Sequence, residues 1–308
     1  MKRLGFIFSG QGCQTPGMGK ELYEMSAACK DVFEKGSQTL GFSLQDACFL
    51  MSKQELSQTV ISQPAIMAVS IAAFALLKEN GVSPDAVAGH SLGEYAALYA
   101  SEVVDLNDVF SIIKTRAAAM QKAAQSQDGM MCAVIGAPAG NIEEICKQVT
   151  NGFVRPVNYN TPDQTVIAGQ KSAVEAAMQK LKGIARRCMP LAVNAAFHTS
   201  LMEPAANELF DALQNIRFHN PKVPFYSNTT AKQLSSDVDF AEYLRMHSMS
   251  PVHFVEEITQ MHKDGISTFI ELGPGKVTAN MIRKIVPEAA VYHVMDKPSF
   301  ENLMAALQ

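Results

Sequence analysis

The pattern Gly89-His90-Ser91-Leu92-Gly93 limits what this chain can fold into more than any other stretch in it. It has the G-x-S-x-G spacing of a nucleophile elbow, in which a serine sits on a sharp turn between a strand and a helix. The spacing alone is weak, so the flanks decide. Before it, Asp85-Ala86-Val87-Ala88 is a short apolar run that can end a buried strand. After it, residues 92–100 are rich in Leu and Ala, with no proline and no glycine past Gly93, and read as a helix. Glycines on both sides remove the side chains that would collide in such a turn. The plainer reading is a Gly-rich turn opening a helix, with Ser91 as its cap.

The outer parts of the chain repeat the same alternation of strand and helix, which predicts an α/β sheet. Residues 4–8 read as a strand, followed by the turn Ser9-Gly10-Gln11-Gly12. Its glycines suggest a phosphate loop, but the third glycine of a dinucleotide fingerprint is missing, and Met18 stands where a Walker lysine belongs. A turn after an early strand can instead supply a backbone N–H to an oxyanion. Gln11 is the candidate there, beside the N–H of Leu92 after the serine. A plain strand–helix turn remains the other reading. Residues 21–40 and 54–60 look helical. Ser62-Gln63-Pro64 then opens an apolar helix ending near Asn80, with Gly81 as its cap. Gln63 either points into a pocket or makes a helix-opening hydrogen bond. Residues 106–125 carry an apolar stripe of Val109, Ile112, Ile113, Ala119 and Met120, and Arg116 falls on it. A guanidinium facing a core needs an anion. That anion is an internal carboxylate or a ligand's carboxylate, unless Arg116 snorkels to an edge.

The polar stretch Ser126-Gln127-Asp128-Gly129 marks a boundary. Beyond it the predicted order is β-α-β-β-α-β, with strands at 131–135, 154–158, 165–168 and 185–193. That is the order of a ferredoxin-like unit. The predicted organisation is a large α/β-hydrolase-like domain from residues 1–127 and 196–308, interrupted by a ferredoxin-like subdomain at 128–195. His198 follows the insertion, just before Ser200-Leu201-Met202-Glu203, which reads as a capping box. The sequence holds 7 histidines, and its pattern alone does not choose among them, although His198 comes after the serine as an elbow enzyme's base should. Residues 222–226 read as a strand, 241–246 as a helix, 268–271 as a strand, and Leu272-Gly273-Pro274-Gly275 as a turn before a helix from 277.

A net charge of −4 argues against nucleic-acid binding. The residues after Met1 offer too short an apolar run for a signal peptide, and the longest run, 66–77, is about half a membrane span. The 6 cysteines show no metal spacing, which suits reduced thiols in a cytoplasm.

Taken together, Phe8-Ser9-Gly10-Gln11-Gly12, Gly89-His90-Ser91-Leu92-Gly93-Glu94, Arg116, Ala196-Phe197-His198, Pro251-Val252 and Glu271-Leu272-Gly273-Pro274-Gly275 resemble the bacterial malonyl-CoA:acyl-carrier-protein transacylases, over nearly the whole chain. The resemblance implies Ser91 as nucleophile and His198 as general base, with Gln11 and Leu92 N–H groups for the oxyanion. It implies Arg116 on the malonyl carboxylate and Gln63 lining the pocket. It also implies a backbone carbonyl that orients the histidine, at the position of His253. At His247 relatives often carry glutamine. Phe197 resembles malonyl-selective rather than methylmalonyl-selective members. The implied substrates are malonyl-CoA and phosphopantetheinylated acyl carrier protein, with no bound cofactor, no metal, no nucleic acid and no membrane, in a cytoplasmic monomer. A free-standing acyltransferase serving a polyketide assembly line would share every motif, and a serine hydrolase would share the elbow. Lys180, Lys182, Arg186 and Arg187 form a basic cluster on the insertion that suits either an acidic carrier or plain solvent.

Overall fold

The computed structural model describes residues 2–308. Among them, β1 (Leu4–Phe8), β2 (Ala86–Gly89), β3 (Gly129–Ile135), β4 (Val154–Thr161), β5 (Gln164–Gln170), β6 (Arg187–Pro190), β7 (Thr268–Leu272) and β8 (Ala290–Val294) form two sheets. The first has the order β2-β1-β7-β8, with every pairing parallel. The second has the order β4-β5-β3-β6, with every pairing antiparallel. The fold is therefore mixed α/β.

A parallel sheet is covered on both faces, so its strands are apolar almost throughout. Phe6 and Phe8 meet Phe74 edge-on at 6.2 and 6.3 Å, from the helix Thr59–Glu79 on one face. Ile7 and Ala88 pack with Phe254 and Ile258 of the helix Phe254–Lys263 on the other. The helix Thr59–Glu79 starts earlier than the sequence predicts, and Pro64 lies inside it. Every residue from Ser62 to Phe74 is buried, and packing of that extent outweighs the one backbone donor that proline removes. By length and composition this helix could cross a membrane, but 83% of its most apolar window is buried inside the protein.

Other boundaries also move. The predicted helix 21–40 is two helices, Lys20–Met25 and Ala27–Leu40. Ser26 separates them in an extended conformation, and its side chain caps the second by accepting from the Cys29 N–H. The predicted strand 222–226 is reduced to two isolated bridges, a parallel one from Phe225 to Val87 and an antiparallel one from Tyr226 to Gln233. Pro224 accepts there from the Val87 N–H at 2.8 Å but has no N–H to extend the ladder. β6 ends at Pro190, short of the predicted residue 193, with one further bond from the Leu191 N–H to the Met131 carbonyl at 2.9 Å.

The second sheet has the predicted β-α-β-β-α-β order, with helices Ala139–Lys147 and Lys171–Lys180. One face buries Val134, Ile142, Ile167 and Val174. The other packs Met131, Ala133, Val157 and Val166 onto Ala119 and Met120 of the helix Leu106–Ser126. That contact places the insertion directly over the helix that carries Arg116.

The two elbow glycines are sterically required. A Cβ on Gly89 would run into the backbone of Gly93, and one on Gly93 into the carbonyl of Phe8. Gly140 has open space around the same position. Gly89→Ala is expected to destabilise the protein by about 3 kcal/mol or more, since backbone must shift to admit the methyl. Gly140→Ala, in a helix, should be neutral or stabilising by up to about 1 kcal/mol. Urea unfolding of both variants checks the contrast.

Candidate active site

The end of β2 passes through His90, Ser91 and Leu92 into the helix Gly93–Ala100. Ser91 has a left-handed backbone, with φ of 52°. A non-glycine residue held there costs about 1–3 kcal/mol and persists only where its surroundings enforce it. The predicted elbow is present, and Ser91 is not a simple cap.

His198 is the histidine that the fold brings to this serine. Its Nε2 lies 2.6 Å from Ser91 Oγ. It too is left-handed, with φ of 63°. The predicted capping box at Ser200 does not form. Residues Ser200–Met202 make a 3-10 turn capped by Thr199, whose hydroxyl accepts from the Leu201 N–H and donates to the Ala196 carbonyl.

The carbonyl predicted to orient His198 is not that of His253. His198 Nδ1 faces the carbonyls of Ser250 at 3.0 Å and His247 at 3.2 Å. Both lie at the C-terminal end of the helix Phe240–Met249, where carbonyls have no partner within their own helix. The His253 carbonyl is already taken, because it accepts the Glu257 N–H at 2.9 Å in the first turn of the next helix. The His253 ring stacks on Tyr159 instead, at 5.2 Å. With two acceptors on Nδ1, the proton of neutral His198 sits there and Nε2 turns its lone pair to Ser91. Burial, then Arg116 and His90, pull His198 down to about 3, so it is a neutral base at physiological pH.

Arg116 is 2% exposed, which excludes snorkelling. Its guanidinium lies over the Tyr95 ring, 4.7 Å from the centroid. Among the described residues no carboxylate is within salt-bridge distance of it, and its Nε has no acceptor. Arg116, Ser91, His198, Gln11 and Phe197 all line one cavity of about 470 Å³. Cys13 lines it as well, its Sγ donating to the Gly10 carbonyl at 2.9 Å, and burial pushes its thiol well up.

Gln11 reaches the cavity because the loop after β1 presses on the elbow. A Cβ on Gly10 would crowd the His90 carbonyl at 2.6 Å. The backbone N–H groups of Gln11 and Leu92 have no acceptor among the described residues. Gln63 does not line the cavity. It is 1% exposed and donates from Nε2 to Gln11 Oε1 at 3.1 Å, so it stands behind Gln11. His247 is fully buried behind His198 and also makes no cavity contact.

A buried network behind the elbow was not visible in the sequence. The Asn228 side chain accepts the Ser91 N–H at 2.7 Å, and the Asn228 backbone N–H donates to Glu94 Oε1 at 2.6 Å. Tyr243 OH donates to the same carboxyl at 2.8 Å. Nothing in periodicity or spacing marks Asn228. The acid that follows the elbow, Glu94, was the available signal.

The acyl transferase domain profile matches residues 5–297. The chain belongs to this family. A malonyl CoA-acyl carrier protein transacylase of Bacillus subtilis is 36% identical, over 100% of this chain and 98% of its own length. The crystal structure of MCAT from Streptococcus pneumoniae is 41% identical and superposes with a TM-score of 0.94, covering 99% of this chain and 100% of that one. A type II PKS acyl-carrier protein in complex with its malonyl-transacylase provides another acyl transferase of this shape, 33% identical with a TM-score of 0.95, covering 99% of each chain.

Two pH dependences follow from burial in this acyl transferase. Because His198 stays unprotonated down to about 3, the rate of Ser91 acylation should be flat between about pH 5 and 7, without the fall near 6.5 of an ordinary histidine. Stopped-flow acylation across that range is the measurement. Burial raises Glu94 from 4.5 to about 8. The unfolded chain releases that proton first, so stability is lost as pH rises from 4.5 towards 8. Glu94→Gln should flatten that part of the stability–pH curve, read by urea unfolding at pH 5 and pH 8.

Proposed function

We propose that this chain transfers the malonyl group from malonyl-CoA to the phosphopantetheine thiol of an acyl carrier protein, through a malonyl ester on Ser91, and so supplies fatty-acid chain elongation. The names of the B. subtilis relative and of the solved neighbours support the reaction. The observation that carries the choice of acyl group is Arg116, a buried cation in the cavity with no carboxylate of its own. A malonyl carboxylate fits the guanidinium fork, and an acetyl group has nothing to offer it.

In the first half-reaction Ser91 Oγ attacks the thioester carbonyl carbon while its proton passes to His198 Nε2. The Gln11 and Leu92 N–H groups receive the oxyanion. Collapse breaks the carbon–sulfur bond, and the departing coenzyme A sulfur takes the proton from His198. In the second half-reaction the carrier's thiol gives its proton to His198 and its sulfur attacks the ester. Collapse then returns the proton to Ser91 Oγ. Ser250 and His247 carbonyls replace the acidic third member of a hydrolase triad by holding the Nδ1 proton. That arrangement favours transfer over the hydrolase reading.

The architecture we assign is an α/β-hydrolase-like domain of residues 1–127 and 196–308, with a ferredoxin-like subdomain at 128–195. The parallel and antiparallel sheets support the division. The exposed side chains of Lys180, Lys182, Arg186 and Arg187 lie on the subdomain and suit an acidic carrier. The free cysteines suit a reducing cytoplasm. A polyketide-serving acyltransferase would use the same residues. The solved complex with a PKS carrier favours that second reading, and transfer assays with purified carriers of each kind separate the two.

Incubation with malonyl-CoA should add one malonyl group to the Ser91 peptide, seen by mass spectrometry, and Ser91→Ala should remove it. Persistent labelling of Ser91→Ala would refute the assignment. Arg116→Ala should lower the malonyl-to-acetyl ratio of kcat/KM by about 10- to 100-fold, the worth of one charge-assisted pair. Arg116→Lys should rescue poorly. An equal loss for both substrates would make Arg116 structural.

A further inference from the structure

Ser91 holds a backbone conformation that serine avoids, and one residue, Asn228, bonds to it and to both of its flanks. Asn228 Oδ1 accepts the Ser91 N–H at 2.7 Å. Asn228 Nδ2 donates to the Gly89 carbonyl at 2.6 Å, on the strand side of the elbow. The Asn228 N–H donates to Glu94 Oε1 at 2.6 Å, on the helix side. The residue therefore bridges strand, nucleophile and helix.

The orientation of this amide is not free. Asn228 Nδ2 also donates to Glu257 Oε2 at 2.8 Å, and Glu257 is fully buried on the helix Phe254–Lys263. A flipped amide would set its oxygen against the Gly89 carbonyl and the Glu257 carboxyl, and its NH2 against the Ser91 N–H. The contacts with the Gly89 carbonyl and the Ser91 N–H would then be repulsive, and the hydrogen bond that Glu257 Oε2 now accepts would be lost. Glu257 thus reinforces, through Nδ2, the one orientation in which Oδ1 is offered to Ser91. Asn228 Oδ1 also lies 3.4 Å from His247 Nε2, and the His247 carbonyl receives His198 Nδ1. The same amide touches the supports of both the nucleophile and the base.

We propose that Asn228, oriented by Glu257, is a positioning residue that holds Ser91 in its reactive left-handed conformation. Neither side chain lines the cavity, so neither contacts the acyl group. Their effect should fall on the rate of acylation and not on the binding of malonyl-CoA. A displacement of about 1 Å at a reacting atom can lower a rate by about 10²-fold.

This inference rests on Ser91 being the nucleophile, so the experiment begins with wild-type protein. Malonyl-CoA is mixed with full-length protein, and the labelled fraction of the Ser91 peptide is followed by quenched-flow mass spectrometry. Absence of label on wild-type Ser91 would overturn the proposed function itself. With wild type labelled, Asn228→Ala should acylate about 10- to 100-fold more slowly at saturating malonyl-CoA, with half-saturation within about threefold of wild type. Glu257→Ala should slow acylation by about tenfold at unchanged half-saturation. Glu257→Gln should regain most of that loss, because its amide oxygen can still accept from Asn228 Nδ2. The Asn228→Ala/Glu257→Ala double variant should be no slower than Asn228→Ala. Wild-type acylation by Asn228→Ala overturns the proposal, as does a loss confined to half-saturation. If Asn228→Ala does not fold, the Glu257 pair decides: equal rates for Glu257→Gln and Glu257→Ala overturn it, and a faster Glu257→Gln supports it.

Discussion

The close passage of the elbow over the end of β1 governs this site. Gly93 lies so near the Phe8 carbonyl that no side chain fits between them, and the same carbonyl accepts the His90 N–H at 3.0 Å. Parallel pairing of β1 with β2 sets that approach, and pairing of β1 with β7 anchors it in the sheet. One steric constraint therefore fixes two parts of the chemistry. It puts Ser91 at the top of the sheet, and it brings the loop that carries Gln11 against His90.

The electrostatics of the cavity follow from burial. Glu94 and Glu257 are fully buried, and burial raises both acids, so neither is a ready counter-charge for Arg116. His198 and His247 are lowered by burial and by the same guanidinium, so they add no positive charge. Arg116 is left as the buried cation of the cavity, whose other lysine or arginine, Lys53, is exposed. A packed apolar residue would suit stability better at such a position. Its retention makes sense when an incoming anion completes the pair.

Much of this was legible in the amino-acid sequence, where the relevant physics is local. The elbow was legible because strand, glycines and helix are contiguous. Arg116 was legible because a cation on an apolar helical stripe is conspicuous at a spacing of three and four residues. The order of the inserted sheet was legible from alternating patterns. Boundaries set by single caps or prolines, such as Ser26, Thr199 and Pro224, were placed less well. His253 failed because a free carbonyl is a property of where a helix stops, and that end lies at Met249, not beside residue 253. Asn228 was invisible because its partner Ser91 is 137 positions away, and an asparagine after a strand looks like any turn residue. Packing against Gln11 moved Gln63 out of the cavity wall, and no sequence pattern encodes that.

Cys13 gives the cavity a chemical hazard and also its remedy. The proposed ester on Ser91 would share its space with a thiol, and thiols are the natural acceptors of acyl groups from such esters. Only the thiolate attacks readily. Burial and the nearby Glu271 carboxylate hold Cys13 in the protonated form, and its Sγ–H is turned to the Gly10 carbonyl. An internal sulfur is thereby kept inert beside an intermediate that must wait for an external one.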